Sequence, residues 1–195
     1  MKTFKLIFLL TLLPTIMNAY DFEVDGIFYT ITSLSDHTTQ VASGDTKYSG
    51  DIVIPDHITY KGTEFLVNKI QEGHCTGSYG GYTELSFADG AFTSSAITSV
   101  TIPSTITEIG TGVFAHCIYL KSISLPSSLT KITGRGAFYG THSLKEIILP
   151  DALTEVGMEA FWGSGISSLT IGSNIQSFGS CAFRYCNNLK VISVC

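Results

Sequence analysis

Few residues in this chain are of types and spacings that could do chemistry. The first candidates are five cysteines, Cys75, Cys117, Cys181, Cys186 and Cys195, and two His-Cys pairs, His74-Cys75 and His116-Cys117. Neither pair has the close ligand spacing of a zinc site. Asp21-Phe-Glu23-Val-Asp25-Gly26 opens like a calcium loop, yet Thr32 stands where an EF-hand needs its bidentate Glu, so the segment reads as a hairpin. Gly110-Thr-Gly112-Val-Phe-Ala115 has the spacing of a dinucleotide turn but lacks the strand–turn–long-helix unit that gives that turn its function. There is no phosphate-loop lysine motif and no G-x-S-x-G elbow. Glu108 and Glu155 share a position just before Ile109 and Val156, which reads as a solvated face rather than a catalytic pair. The expectation is no catalytic residue, no cofactor and no metal: not an enzyme.

The elements that would position such residues are repeats. Ile97-Thr-Ser-Val-Thr-Ile-Pro103, Leu120-Lys-Ser-Ile-Ser-Leu-Pro126, Leu144-Lys-Glu-Ile-Ile-Leu-Pro150 and Ile166-Ser-Ser-Leu-Thr-Ile-Gly172 open alike, and Leu189-Lys-Val-Ile-Ser-Val194 begins a fifth. Their starts are 23, 24, 22 and 23 residues apart. Ile106, Leu129, Leu153 and Ile175 form one later column, Ile109, Ile132, Val156 and Phe178 the next, and Phe114, Phe138, Phe161 and Phe183 a third, with Phe92 one unit earlier. A unit this short cannot bury its apolar columns alone, so the units must stack. Each opening alternates apolar and polar residues, which predicts one short strand per unit in a parallel sheet, ended by Pro103, Pro126 and Pro150. The small-residue stretch before each Phe predicts a turn or short helical piece opposite.

This pattern resembles the BspA-like leucine-rich repeats of secreted and surface proteins, best seen in Val100-Thr-Ile-Pro-Ser-Thr-Ile-Thr-Glu-Ile-Gly110 followed by Val113-Phe-Ala-His-Cys-Ile-Tyr-Leu120. It departs from the motif at Gly172, where Pro is expected, and at Thr141 and Ser164, where Cys is expected. The resemblance implies a repeat solenoid, a leucine-rich-repeat-like right-handed stack with a parallel β-sheet, and family roles in adhesion without enzyme activity.

Around the repeats, Met1–Ala19 reads as a secretory signal peptide: two early lysines, an apolar run too short to span a bilayer, and a plausible cleavage point at Ala19. Its removal leaves 9 basic against 16 acidic side chains, a net charge of −7. That balance opposes nucleic acid and anionic lipid, and no later stretch is apolar enough for membrane insertion. Charged residues are only 14%, while Ser and Thr number 22 and 23, so hydroxyls build the surface.

Residues 20–50 are expected to be a β-hairpin N-terminal cap covering the first sheet edge, with an Asp25-Gly26 turn. Residues 51–96 hold degenerate first repeats: a strand at Asp51-Ile-Val-Ile-Pro55, a second hairpin around Lys61-Gly62, and a Gly-rich inserted loop at 71–84. Residues 97–195 are the repeats proper, the last incomplete. This ending favours a fragment or early stop, with edge pairing through the last strand as the alternative.

At about 4.8 Å per unit, Cys117 and Cys186, three units apart, would sit roughly 14 Å from one another, too far for a disulfide, and read as small core fillers. What survives as a site is a surface. With Val100/Ile102, Ile123/Leu125, Ile147/Leu149 and Leu169/Ile171 inward, the outward residues are Ser99/Thr101, Ser122/Ser124, Glu146/Ile148 and Ser168/Thr170, flanked by Lys121, Lys145 and Lys190. This flat hydroxyl ladder suits a protein or glycan partner. The expected function is an exported, non-enzymatic, secreted or cell-surface interaction module. The alternatives are a structural spacer in a longer surface protein and a glycan-binding accessory to a secreted enzyme.

Overall fold

Two positive-φ turns start the architecture. Asp25 and Gly26 (φ 51° and 78°) supply the backbone twist of a two-residue hairpin and fold β1 (Phe22–Val24) antiparallel onto β2 (Ile27–Ser33). β3 (Thr38–Val41) pairs back on β2, and the chain then leaves through β4 (Ser49–Val53). Lys61 and Gly62 (φ 50° and 81°) make the second hairpin, β5 (His57–Tyr60) with β6 (Thr63–Ile70). These strands form one sheet in the order β1-β2-β3-β6-β5, with β3 and β6 parallel. Both expected hairpins are present. The computed structural model describes residues 20–77 and 85–194; residues 1–19, on which the expected signal peptide falls, residues 78–84 and Cys195 lie outside the described residues.

The inserted stretch is not a plain loop. β7 (His74–Thr76) and β8 (Ser86–Ala88) pair antiparallel, with Cys75 opposite Phe87. Strands of three residues are too short to show alternation against a glycine-rich background.

From here each unit contributes two strands rather than the expected one. The front strands are β9 (Ala96–Thr101), β11 (Ser122–Ser124), β13 (Glu146–Ile148), β15 (Ser168–Ile171) and β17 (Val191–Val194). The back strands are β10 (Glu108–Ile109), β12 (Lys131–Arg135), β14 (Glu155–Met158) and β16 (Ser177–Phe178), in one parallel sheet in chain order. The back strands carry the Ile109, Ile132, Val156 and Phe178 column. Between front and back, the Pro103, Pro126 and Pro150 carbonyls accept from the amides of Ile106, Leu129 and Leu153 at 3.0–3.1 Å, so each Pro both ends a strand and closes the turn. No helix occurs among the described residues; turns occupy the third side.

That third side holds the aromatic column. Phe92, Phe114, Phe138, Phe161 and Phe183 stack face to face at centroid distances of 5.3, 5.1, 5.0 and 5.1 Å. The backbone follows the same step: the amides of Phe114, Phe138 and Phe161 donate to the carbonyls of Ala137, Ala160 and Ala182 in the next unit. A single apolar core runs from the N-terminal sheet through every unit. The repeats hold one another by burial that none achieves alone.

Candidate interaction surface

The front strands present the outward residues in register. Ser122 lies opposite Ser99 and Ser124 opposite Thr101; Glu146 lies opposite Ser168 and Ile148 opposite Thr170. Beneath them Val100, Ile147 and Leu169 are buried. Thr101, Ser122, Ser124, Glu146 and Ile148 are exposed, whereas Ser99, Ser168 and Thr170 are half-buried. Lys121, Lys145 and Lys190 are exposed at the entry to their strands, and the Lys145 Nζ donates to the His142 carbonyl at 3.0 Å.

Two features of this face differ from a flat hydroxyl ladder. The front is not one sheet: it divides into β4-β9-β11 and β13-β15-β17. No ladder hydrogen bond joins β11 to β13, and the cleft between them has a volume of about 530 Å³, lined by Ser122, Ile123, Ser124 and Leu125 on one side and Glu146, Ile148 and Pro150 on the other. The unit that begins at Leu120 is also the long one, and its extra residue appears on the back as a bulge in β12, where Ile132 pairs with Val156 but Arg135 with Met158. Both irregularities fall at the same junction.

The second difference is that the face extends onto β4, whose pairing with β9 sets Asp51 opposite Ser99 and Val53 opposite Thr101. The hydroxyls of Thr98 and Ser99 donate to Asp51 Oδ1 at 2.6 and 2.7 Å. These two bonds hold the Asp51 carboxyl below its ordinary range. Asp51 and Val53 belong to the site although they precede the regular repeats. Their signal was the strand pattern at Asp51-Ile-Val-Ile-Pro55.

The remaining chemistry candidates are dispersed. Glu108 and Glu155 are separated on the back sheet by Lys131, which pairs with both in register, so the column alternates in charge. His74 faces Asp89 at 3.6 Å with both side chains exposed. His116 packs edge-on against Phe87 and Tyr139. Among the described residues no three His, Cys, Asp or Glu side chains gather as metal ligands. Gly112, at φ 61°, sits in a turn beside β12, its amide donating to the Arg135 carbonyl. Asp21 Oδ2 accepts from the Ile31 amide at 2.7 Å, a contact within the cap sheet.

Cys75, Cys117 and Cys186 are free thiols. Cys117 and Cys186 are more than fillers. Each Sγ donates to the carbonyl of the column Phe in the unit before, Cys117 to Phe92 at 2.9 Å and Cys186 to Phe161 at 3.0 Å. Thr141 replaces Cys in that column by bonding the Phe138 carbonyl of its own unit, and Ser164 by bonding Cys186. Burial pushes the Cys117 thiol up to about 12.

Residues 85–195 match the model of the BspA type Leucine rich repeat region, in six copies. The chain belongs to this family. Among solved structures, this BspA-type chain is similar to a leucine-rich repeat protein from Bacteroides ovatus, with 32% identity over 89% of this chain and 41% of that one and a TM-score of 0.73. It thus spans well under half of that protein's length. It shares its fold with a T. pallidum leucine-rich repeat protein (20% identity, 88% of this chain, 70% of that one, TM-score 0.67). It also shares it with the pneumococcal vaccine antigen PcpA (19% identity, 89% and 48%, TM-score 0.55). No curated protein matches it.

Proposed function

We propose that this BspA-type chain is an exported, non-enzymatic interaction module, secreted or held at a cell surface, that binds a protein or glycan on the outward face of its front strands. The observation that carries the reading is the set of outward hydroxyls, in register on β9 and β11 and continued on β15 beyond the β11–β13 cleft. Many weak polar contacts over a wide, rigid surface suit recognition of a macromolecule better than stabilisation of a transition state. Export is supported by the character of residues 1–19, and the adhesion role by the family's resemblance to surface proteins.

The test is binding of the purified chain to immobilised matrix proteins and glycans, beside a Ser122→Glu/Ser124→Glu variant. Both positions are exposed, so the fold tolerates the change. At least a tenfold loss of binding is expected. Equal binding by the variant removes this face from the function and favours a spacer role.

A further inference from the structure

Charge is distributed unevenly around the stack. The segments that lead from the aromatic column to the front strands are 93–98, 115–121, 139–145, 162–167 and 184–190, and none of the 16 acidic residues falls in them. Lys121, Lys145, Arg184 and Lys190 do fall in them. Lys47 joins this edge from the cap, donating from Nζ to the Thr93 carbonyl at 2.9 Å. Of the 9 basic side chains beyond residue 19, more than half therefore share one edge of a chain whose net charge is −7 without its first 19 residues.

Backbone bonds hold the edge in register. The Lys121 amide donates to the Thr98 carbonyl at 2.9 Å, Ser167 to Lys145 at 2.8 Å and Lys190 to Ser167 at 3.0 Å. All four lysines are exposed, and none belongs to the ion pairs found among the described residues. The bond from Lys145 Nζ to the His142 carbonyl fixes that ammonium and leaves its other N–H donors outward. Asp51 and Glu146 stand beside the edge on the front face, where Asp51 Oδ1 already accepts from Thr98 and Ser99. The Arg184 guanidinium lies 5.0 Å over the Trp162 ring, which stacks on Tyr139 at 6.1 Å, so the cation at the last coil is braced by the coils before it.

We infer that this edge binds an acidic polysaccharide laid along the stack, with its carboxylates or sulfates on Lys121, Lys145 and Lys190. At about 4.8 Å per coil, Lys121 and Lys145 stand roughly 5 Å apart, and Lys145 and Lys190 roughly 10 Å. Duplex DNA presents a charge about every 1.7 Å, far denser than this row, and the chain's net negative charge repels it. A polysaccharide with one anionic group on each sugar or each disaccharide has the wider spacing. Between the cations stand Tyr119, Ser143, Ser167, Tyr185, Asn187 and Asn188, whose hydroxyls, carboxamides and rings suit sugar hydroxyls and ring faces. This second surface adjoins the front face and stands whether or not the hydroxyls there bind.

The experiment titrates the full purified chain with polygalacturonate, which carries carboxylates alone, and with chondroitin sulfate, which adds sulfates, at low and physiological salt. Dextran, poly-glutamate and single-stranded DNA are the comparison polymers. The variants are Lys121→Glu/Lys145→Glu, the single change Lys190→Glu, and Lys61→Glu/Lys69→Glu, which makes the same charge change on exposed cap residues away from the edge. Wild type is expected to bind at least one acidic polysaccharide, more weakly as salt rises. The edge pair should lose at least tenfold in affinity, Lys190→Glu should lose several-fold, and the cap pair should lose little. Binding of both polymers assigns the site to anionic sugars in general, and binding of chondroitin sulfate alone to sulfated ones. Circular dichroism matching wild type shows that each loss is local, and Lys190→Glu carries the test if the double variant misfolds. Binding of neither polymer, equal loss in the edge and cap variants, or equal binding of dextran overturns the inference. Tighter binding of poly-glutamate or DNA also overturns it, in favour of an acidic protein or a nucleic acid.

Discussion

Arg135 reaches from one repeat to the next and grips Glu159 with two bonds, Nε to Oε2 at 2.5 Å and Nη2 to Oε1 at 3.0 Å. Glu159 is 1% exposed and sits at φ 53°, while Arg135 keeps a route to solvent at 22%. The pair exists because the long unit supplies one extra residue in β12, and it lies at the junction where the front sheet opens. Arg135→Ala strands a buried carboxylate and is expected to cost about 3–5 kcal/mol. Replacing both residues by apolar ones of similar size should recover most of that loss in urea denaturation.

The aromatic column makes the stack cooperative. Phe138 is fully buried and stacked on both faces, at 5.1 Å on Phe114 and 5.0 Å on Phe161. Phe138→Ala should lose about 3–5 kcal/mol, and Phe138→Leu distinctly less. Because each coil leans only on its neighbours, calorimetry of Phe138→Ala should show its transition broadening or splitting.

Glycine at 157 is required by approach rather than by φ. A Cβ there would fall 2.3 Å from the Gly134 carbonyl oxygen, on the bulged strand, whereas at Gly163 it would meet nothing within 4 Å but at φ 64°. Gly157→Ala should therefore destabilise by about 1–3 kcal/mol through overpacking. Chemical denaturation against wild type checks it.

How much of this was legible beforehand divides along physical lines. The Phe column, the inward aliphatics and both hairpins were readable because side-chain type and turn chemistry announce them locally. The back sheet was not, since Glu108–Ile109 and Ser177–Phe178 are too short to show a period. The outward residues were placed on the correct strands, yet the division between Ser122–Ser124 and Glu146–Ile148 was hidden. It depends on backbone pairing between coils, and the only trace in the sequence is the 24-residue spacing from Leu120 to Leu144. The hydrogen bonds from Cys117 and Cys186 were missed because a buried thiol reads as apolar.

The Asp51 carboxyl gives a pH signature. Bonds from Thr98 and Ser99 lower its pKa, so the stability it contributes is present above the ordinary carboxylate value and lost as pH falls through the lowered one. Carbon-detected NMR titration should place Asp51 below the ordinary carboxylate range, and Thr98→Val/Ser99→Ala should return it upward.

Thiol reactivity should follow burial. With its thiol pushed up to about 12 and its side chain enclosed, Cys117 should resist iodoacetamide at pH 8 in the native chain and react once guanidinium unfolds it. Peptide mass mapping before and after denaturation reads this directly.

Native-state amide exchange at single-residue resolution is the most direct test of a front face open at its centre. Ile102 and Leu149, whose amides are bonded across strands, should exchange slowly. Ile123 and Ile148, whose amides point into the cleft, should exchange at least a hundredfold faster. Equal protection at all four would mean that β11 and β13 are joined by a ladder, and the open face would not exist.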